Sequence, residues 1–286
     1  MLKIGQNLKI HVIEESYSVM DPGGMFGLVP YALWKSTMTH SEERLIPVIS
    51  TSLLIQTPHH NILIDTGIGS KVSSKQQLWM RLEHRRGTMA ESLARLQLTP
   101  EDIDIVVNTH LHSDHSGGNT YTAEDGSIQA TFPNAEYLVQ KKEYEAASNP
   151  NERTRATYLT QNYVPLFEQG RLRLIEGDIE IAPGVTGVIT PGHTPSHMIM
   201  RIEDGDDKLL YLADLASYAV HFERLAWIPA FDVEPLTTLE TKRKWRELAF
   251  ESQALVMFAH DILRPAARVV KDGDELALEI VEIDYV

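Results

Sequence analysis

The stretch "NTHLHSDHSGGN", Asn108 to Asn119, crowds three histidines and an aspartate into six positions: His110, His112, Asp114 and His115. On an extended or turning segment His110 and His112 project to one side, because side chains repeat with period two, while Asp114 and His115 reach around the next turn. One loop can thus feed two adjoining metal subsites. Gly117 and Gly118 follow at once, and they are read as giving the backbone freedom beside crowded ligands. Upstream, "TPEDIDIVVNTH" stops a helix at Pro100 and supplies a short buried strand from Ile103 to Val107, so the histidine loop leaves a strand end.

Working outward, three more candidates follow apolar, strand-like runs: His193 in "TPGHTPSH", Asp214 in "YLADLASY" and His260 in "MFAHD". Loops at the carboxyl ends of strands are where α/β folds build their sites. The remaining pattern agrees with that class. "LKIHVIEES", "PVISTSLLIQT" and "HNILIDTG" read as an N-terminal meander, and "MAESLARLQL" as a helix. A strand "AEYLVQ" and a charged helical stretch from Lys141 to about Gln161, broken at Pro150, come next. The second half repeats the style with "RLRLIEG", "GVTGVIT", "HMIMRIED" and "KLLYLADL", a long helix "EPLTTLETKRKWRELAFES", the strand "ALVMFAHD" and a strand-like ending. No low-complexity linker separates the halves, so the expectation is one α/β domain, 1–286, of two similar halves, about 1–160 and 161–286.

Composition narrows the chemistry. The 286 residues contain no cysteine, which excludes disulfides, thiolate nucleophiles and thiolate-held metals and leaves His, Asp and Glu as ligands. Such ligands suit zinc, and also iron, manganese or cobalt. A net charge of −14 repels phosphate backbones, and no Lys/Arg cluster offsets it, so nucleic acid is not the expected partner. No apolar run approaches the roughly 20 residues that span a bilayer, and the start lacks a signal-peptide core. A soluble, cytoplasmic protein with no membrane partner is expected.

Together these residues resemble the metallo-β-lactamase superfamily, whose five motifs read here as Asp65 in "LIDTG", His110-x-His112-x-Asp114-His115, His193, Asp214 and His260. The likeness covers roughly residues 8 to 262. It implies an αββα sandwich, two mixed sheets flanked by helices, around a dinuclear centre of two divalent metal ions, with zinc first. His110, His112 and His193 would hold one ion, Asp114, His115 and His260 the other, and Asp214 would bridge them. A hydroxide bridging metals about 3.5 to 4 Å apart would be the nucleophile, so Asp114 and Asp214 serve catalysis as ligands. Asp65 would orient the ligands from behind, and His197 either hydrogen-bonds the site or sits in the core.

Within the superfamily, β-lactamases use a cysteine ligand or lack the bridging aspartate, and glyoxalase II relatives end in a basic helical region absent here. The local likeness is to the N-acyl homoserine lactonases and the methyl-parathion-hydrolase-like enzymes. This implies opening of a lactone or cleavage of a carboxyl ester, with a phosphotriester as the alternative and a metal-dependent nuclease or RNA-processing enzyme behind both. One position differs: the lactonases place a carbonyl-polarising tyrosine three residues after the bridging aspartate, where this chain has Ser217, and Tyr218 follows.

An apolar neutral substrate needs apolar walls. Candidates are Met25 and Phe26, in the Gly- and Pro-rich segment Asp21 to Trp34 that is read as an irregular loop, and Tyr218, His221, Phe222 and Trp227 after Asp214. The same loop could instead fold onto the core or form a homodimer contact. His11, His40, His59, His60 and His84 have no partners in the sequence and are read as structural or solvent-facing.

Overall fold

The computed structural model of the protein describes residues 2 to 286. In chain order its strands are β1 (Leu2–Ile4), β2 (Leu8–Met20), β3 (Ile46–Gln56), β4 (Asn61–Ile64), β5 (Ile105–Val107), β6 (Thr120–Thr122), β7 (Ile128–Ala130) and β8 (Glu136–Gln140). The second half adds β9 (Leu172–Ile175), β10 (Ile179–Ala182), β11 (Val185–Ile189), β12 (Met198–Asp204), β13 (Asp207–Tyr211), β14 (Leu255–Met257), β15 (Ala266–Asp272) and β16 (Glu275–Val281). One seven-stranded sheet has the order β1-β2-β3-β4-β5-β8-β9 and the other runs β10 through β16 in sequence, while β6 and β7 form a separate ribbon. Both large sheets are mixed, with parallel pairs β4/β5, β5/β8, β8/β9 and β13/β14. The chain passes from one sheet to the other between Ile175 and Ile179.

Alternating apolar residues explain the layering. Val12, Leu53, Ile55, Ile62 and Ile64 on one sheet meet Met198, Met200, Ile202, Tyr211 and Met257 on the other in a shared buried core. The opposite face of the first sheet, with Leu54, Leu63, Val106 and Tyr137, is covered by Leu93, Ala147 and Leu166 from helices Met89–Arg95, Lys141–Ser148 and Val164–Glu168. The outer face of the second sheet packs on Trp245 and Ala249 of helix Pro235–Ser252. Sheets whose strands are apolar on both faces need cover on both, and helix-sheet-sheet-helix is the layering that supplies it.

Two local expectations differ. The segment Asp21 to Trp34 forms two short helices, Pro22–Phe26 and Tyr31–Trp34. Asp21 caps the first by accepting the Gly23 N–H at 2.7 Å, and Pro22 suits a first helical turn, so the Gly/Pro content marks helix starts here. The helix expected to reach about Gln161 ends at Ser148, and turns follow Pro150.

What the fold does for function lies at one rim. β4 and β5 run parallel and deliver Asp65 and the histidine loop. In the second sheet β11 and β13 are each antiparallel to β12, and β13 is parallel to β14, so β11, β13 and β14 share a direction. His193, Asp214 and His260 leave the carboxyl ends of those three strands.

Candidate metal centre

The histidine loop is held as a unit by its own ends. Asn119 Nδ2 donates to Asn108 Oδ1 at 2.8 Å, and Thr66 Oγ1 donates to Asn119 Oδ1 at 2.9 Å. Between those clasped ends, His112 caps a single helical turn, Ser113–Ser116, which swings Asp114 and His115 to the far side of the loop. Gly117 and Gly118 serve space: Gly117 is right-handed helical at φ −58°, and added Cβ atoms would lie 2.1 Å from Ile68 O and 2.2 Å from Thr66 O. The loop after Asp65 presses directly on them, which corrects the reading of conformational freedom.

All seven expected ligands converge in two adjoining groups. His110, His112, His193 and Asp214 form one and Asp114, His115 and His260 the other, the ligand atoms of each lying within 4.8 Å of one another. Asp214 lies against both: Oδ1 is 2.9 Å from His260 Nε2, while Oδ2 is 3.2 Å from His193 Nε2 and 3.5 Å from His115 Nε2. Six of the seven are buried, and Asp114, its side chain 36 % exposed, marks the solvent side.

Bonds behind the ligands set their tautomers. His115 Nδ1–H donates to Asp65 Oδ2 at 2.9 Å, His193 Nδ1–H to Asp232 Oδ1 at 2.9 Å and His260 Nδ1–H to the Ile49 carbonyl at 2.7 Å. The Thr109 hydroxyl donates to Asp65 Oδ2 at 2.8 Å, which leaves its oxygen to accept from His110 Nδ1 at 3.1 Å. In each case Nδ1 makes the outer bond and Nε2 faces inward, the ring orientation that metal coordination requires. His112 presents Nδ1 instead, 3.0 Å from His193 Nε2.

Asp65 reaches its partners from a left-handed backbone, φ 54°, an unusual conformation for a non-glycine residue. His197 acts on the backbone of the site: its Nε2 accepts the Asp214 N–H at 3.1 Å and its Nδ1 faces Thr190 Oγ1 at 2.8 Å. Burial first, and then the neighbouring histidines, push His197 down to about 3, so it stays a neutral acceptor.

These residues fit a metal pair. Every donor is nitrogen or oxygen, and His110 Nε2 is buried with no hydrogen-bond partner. A buried polar atom without a partner is costly, and inward-facing imidazole nitrogens 3.0 and 3.1 Å apart are close enough to serve as two donors to one cation. The carboxylates divide the imidazoles: burial lowers His115, His193 and His260, yet Asp114, Asp214, Asp65 and Asp232 outweigh it and raise all three above the usual range. Burial, followed by neighbouring histidines, holds His110 and His112 well below the usual imidazole range. Burial also raises Asp214, yet His260, His193 and His115 outweigh it and keep the carboxyl well below the usual range.

The expected substrate walls separate into two places. Met25, Phe26, Trp34, Tyr218 and Val220 form one buried cluster with Trp227 against it. Phe26 stacks on Trp34 at 4.9 Å and meets His221 and Trp227 edge-on at 5.9 Å each. Phe222 instead sits under helix Pro235–Ser252 and meets Phe258. The Tyr218 hydroxyl donates to the Pro47 carbonyl at 2.9 Å. Leu28 and Leu33 stay exposed on the same segment. Sequence reasoning missed Asp232, whose only signal is a carboxylate in the turn-rich stretch before a helix, and Lys242, fully buried with Nζ donating to the His221 and Trp227 carbonyls at 3.0 and 2.8 Å.

A four-layer mixed α/β sandwich with this ligand set at one rim defines a class. The family model described as the metallo-beta-lactamase superfamily matches residues 45–260, and the chain belongs to that superfamily. It is a metal-dependent hydrolase of that class. Among its relatives is an N-acyl homoserine lactonase of Bacillus cereus, 31% identical over 243 residues that cover 79% of this chain and 86% of the relative. A probable metal-dependent hydrolase from Staphylococcus aureus superposes with a TM-score of 0.88 at 32% identity, covering 99% of both chains. AidC, a dizinc quorum-quenching lactonase solved with a product, superposes with a TM-score of 0.80 at 18% identity over 99% of this chain and 97% of its own. That last likeness bears on the fold.

Proposed function

We propose that this protein is a dinuclear, zinc-dependent hydrolase of lactones or carboxyl esters. The observation that carries the reading is the convergence of seven N/O ligands into two groups that share Asp214. His110, His112 and His193 would hold one ion, Asp114, His115 and His260 the other, with Asp214 between them. When bound, such a pair supplies hydroxide from a shared water near neutral pH, by lowering its pKa from about 15.7 to about 7, and polarises an ester carbonyl.

The chain's own residues do the rest. Asp65, Asp232, Thr109 and the Ile49 carbonyl hold the imidazole rings with their lone pairs inward. His197 holds the Asp214 turn, where Ala213 is strained at φ 45°. The apolar cluster of Met25, Phe26, Tyr218 and Trp227, with His221 as its polar member, is closed in this structure and would receive an uncharged acyl chain by parting. The lactonase relative supports an ester bond as the target.

The test is turnover by the zinc-loaded protein on a panel of acyl lactones, aryl esters and phosphotriesters. Lactone or aryl-ester hydrolysis that is lost on chelation and restored by zinc is the expected result. Phosphotriester turnover alone would select the alternative substrate class, and inactivity on all three would overturn the reading.

A further inference from the structure

We propose that Glu143 is a positioning residue that locks His110, His112 and His193 together as one preformed half of the metal centre, and this rests on the dinuclear reading above. Glu143 lies on helix Lys141–Ser148, which carries no ligand, and its side chain is fully buried. Oε1 accepts the Leu111 N–H at 3.1 Å and the Tyr158 hydroxyl at 3.0 Å, and Oε2 accepts the Thr194 hydroxyl at 2.6 Å. Each donor adjoins a candidate ligand. Leu111 separates His110 from His112, Thr194 follows His193, and the Tyr158 ring lies 4.9 Å from the His112 ring. Residue 158 also forms a backbone bridge with residue 112.

One carboxylate therefore ties a loop of the first sheet to a loop of the second across the join between the two halves. None of its three bonds reaches the loop positions of Asp114, His115 or His260. A residue serving only its own helix would need no bond to either ligand loop. Burying a carboxylate is costly unless donors surround it, and the three donors here are those that set ligand spacing.

Zinc binding to the purified full-length protein tests this, measured by competition with a chromophoric chelator and normalised to folded chain. Glu143→Ala is expected to weaken one of the two zinc ions about 10- to 100-fold, the usual cost of removing support behind a ligand, and leave the other within about threefold. Glu143→Gln keeps an acceptor for Leu111 and Tyr158, and the Thr194 hydroxyl can turn to accept from the amide. It is expected to return zinc affinity to within about threefold of wild type. Thr194→Val should weaken the same ion as Glu143→Ala.

A Glu143→Ala protein that loses thermal stability yet binds both ions at wild-type affinity would overturn the proposal. If that variant does not fold, Thr194→Val and Tyr158→Phe decide, and unchanged affinity in both overturns it. A wild-type chain that binds a single zinc counts against the dinuclear reading alone, and Glu143 is then judged by whether its variants weaken that ion.

Discussion

His110 Nε2 and the paired oxygens of Asp214 state the chemistry of the site at the scale of single atoms: an inward lone pair without a partner, and a carboxylate set against imidazoles of both groups. Asp214→Ala is expected to lose most of the metal at one or both positions by elemental analysis, and two ions per chain in that variant would contradict the sharing. Tyr218 belongs to this scale too. Its hydroxyl is engaged by the Pro47 carbonyl, so the phenol reaches a substrate carbonyl only by giving up that bond. Tyr218→Phe is therefore expected to lower kcat by less than about tenfold, below the 10²- to 10⁴-fold typical of a positioned acid or base. A loss of 100-fold or more in steady-state kinetics would place the phenol on the substrate. The seven candidate ligands were legible because spacing and strand ends betray them. Asp232 was not, because its bond to His193 spans 39 residues and only the folded loop brings them together.

Among elements, helix Pro235–Ser252 holds the segment after Asp214 in place. Lys242 crosses from it to the His221 and Trp227 carbonyls, and burial pushes its ammonium down to about 7, with Asp232 opposing that shift and Arg246 adding to it. The folded state thus releases this proton near pH 7 while the unfolded chain keeps it to about 10.4. Between those values the unfolded state binds more protons, so stability from this group rises with pH, and below pH 7 the full cost of a buried charge is felt. Chemical denaturation from pH 7 to 10 should show the wild type gaining stability relative to Lys242→Met, and parallel curves would refute the assignment. The sequence reads "EPLTTLETKRKWRELAFES" as a long helix. The helix is there, but nothing in the repeat marks Lys242 as the basic residue that turns inward. The short helices at Pro22–Phe26 and Tyr31–Trp34 were missed for a related reason: Gly and Pro signal punctuation, and only the Asp21 cap and packing against Trp227 show that a helix follows.

For the whole molecule, net charge bears on which partners can approach. No helix among the described residues is long and apolar enough to cross a membrane. The net charge of −14 should leave the protein unretained on immobilised single- or double-stranded nucleic acid at low salt, and binding that falls steeply as salt rises would revive the nuclease alternative. The sequence by itself determined the α/β class and most strand positions and singled out the seven candidate ligands that the fold brings together, because period-two apolar runs and dense His/Asp spacing are local properties of the chain. Tertiary structure alone decided which loops meet. Asp65 lies 50 residues from His115, and Glu143 lies 32 residues from Leu111 and 51 from Thr194, separations that no local pattern encodes. It also decided that Gly117 is needed for the close approach of Ile68, between loops of two neighbouring strands, and that Tyr218 faces Pro47, which depends on the distance at which the two sheets place their rims.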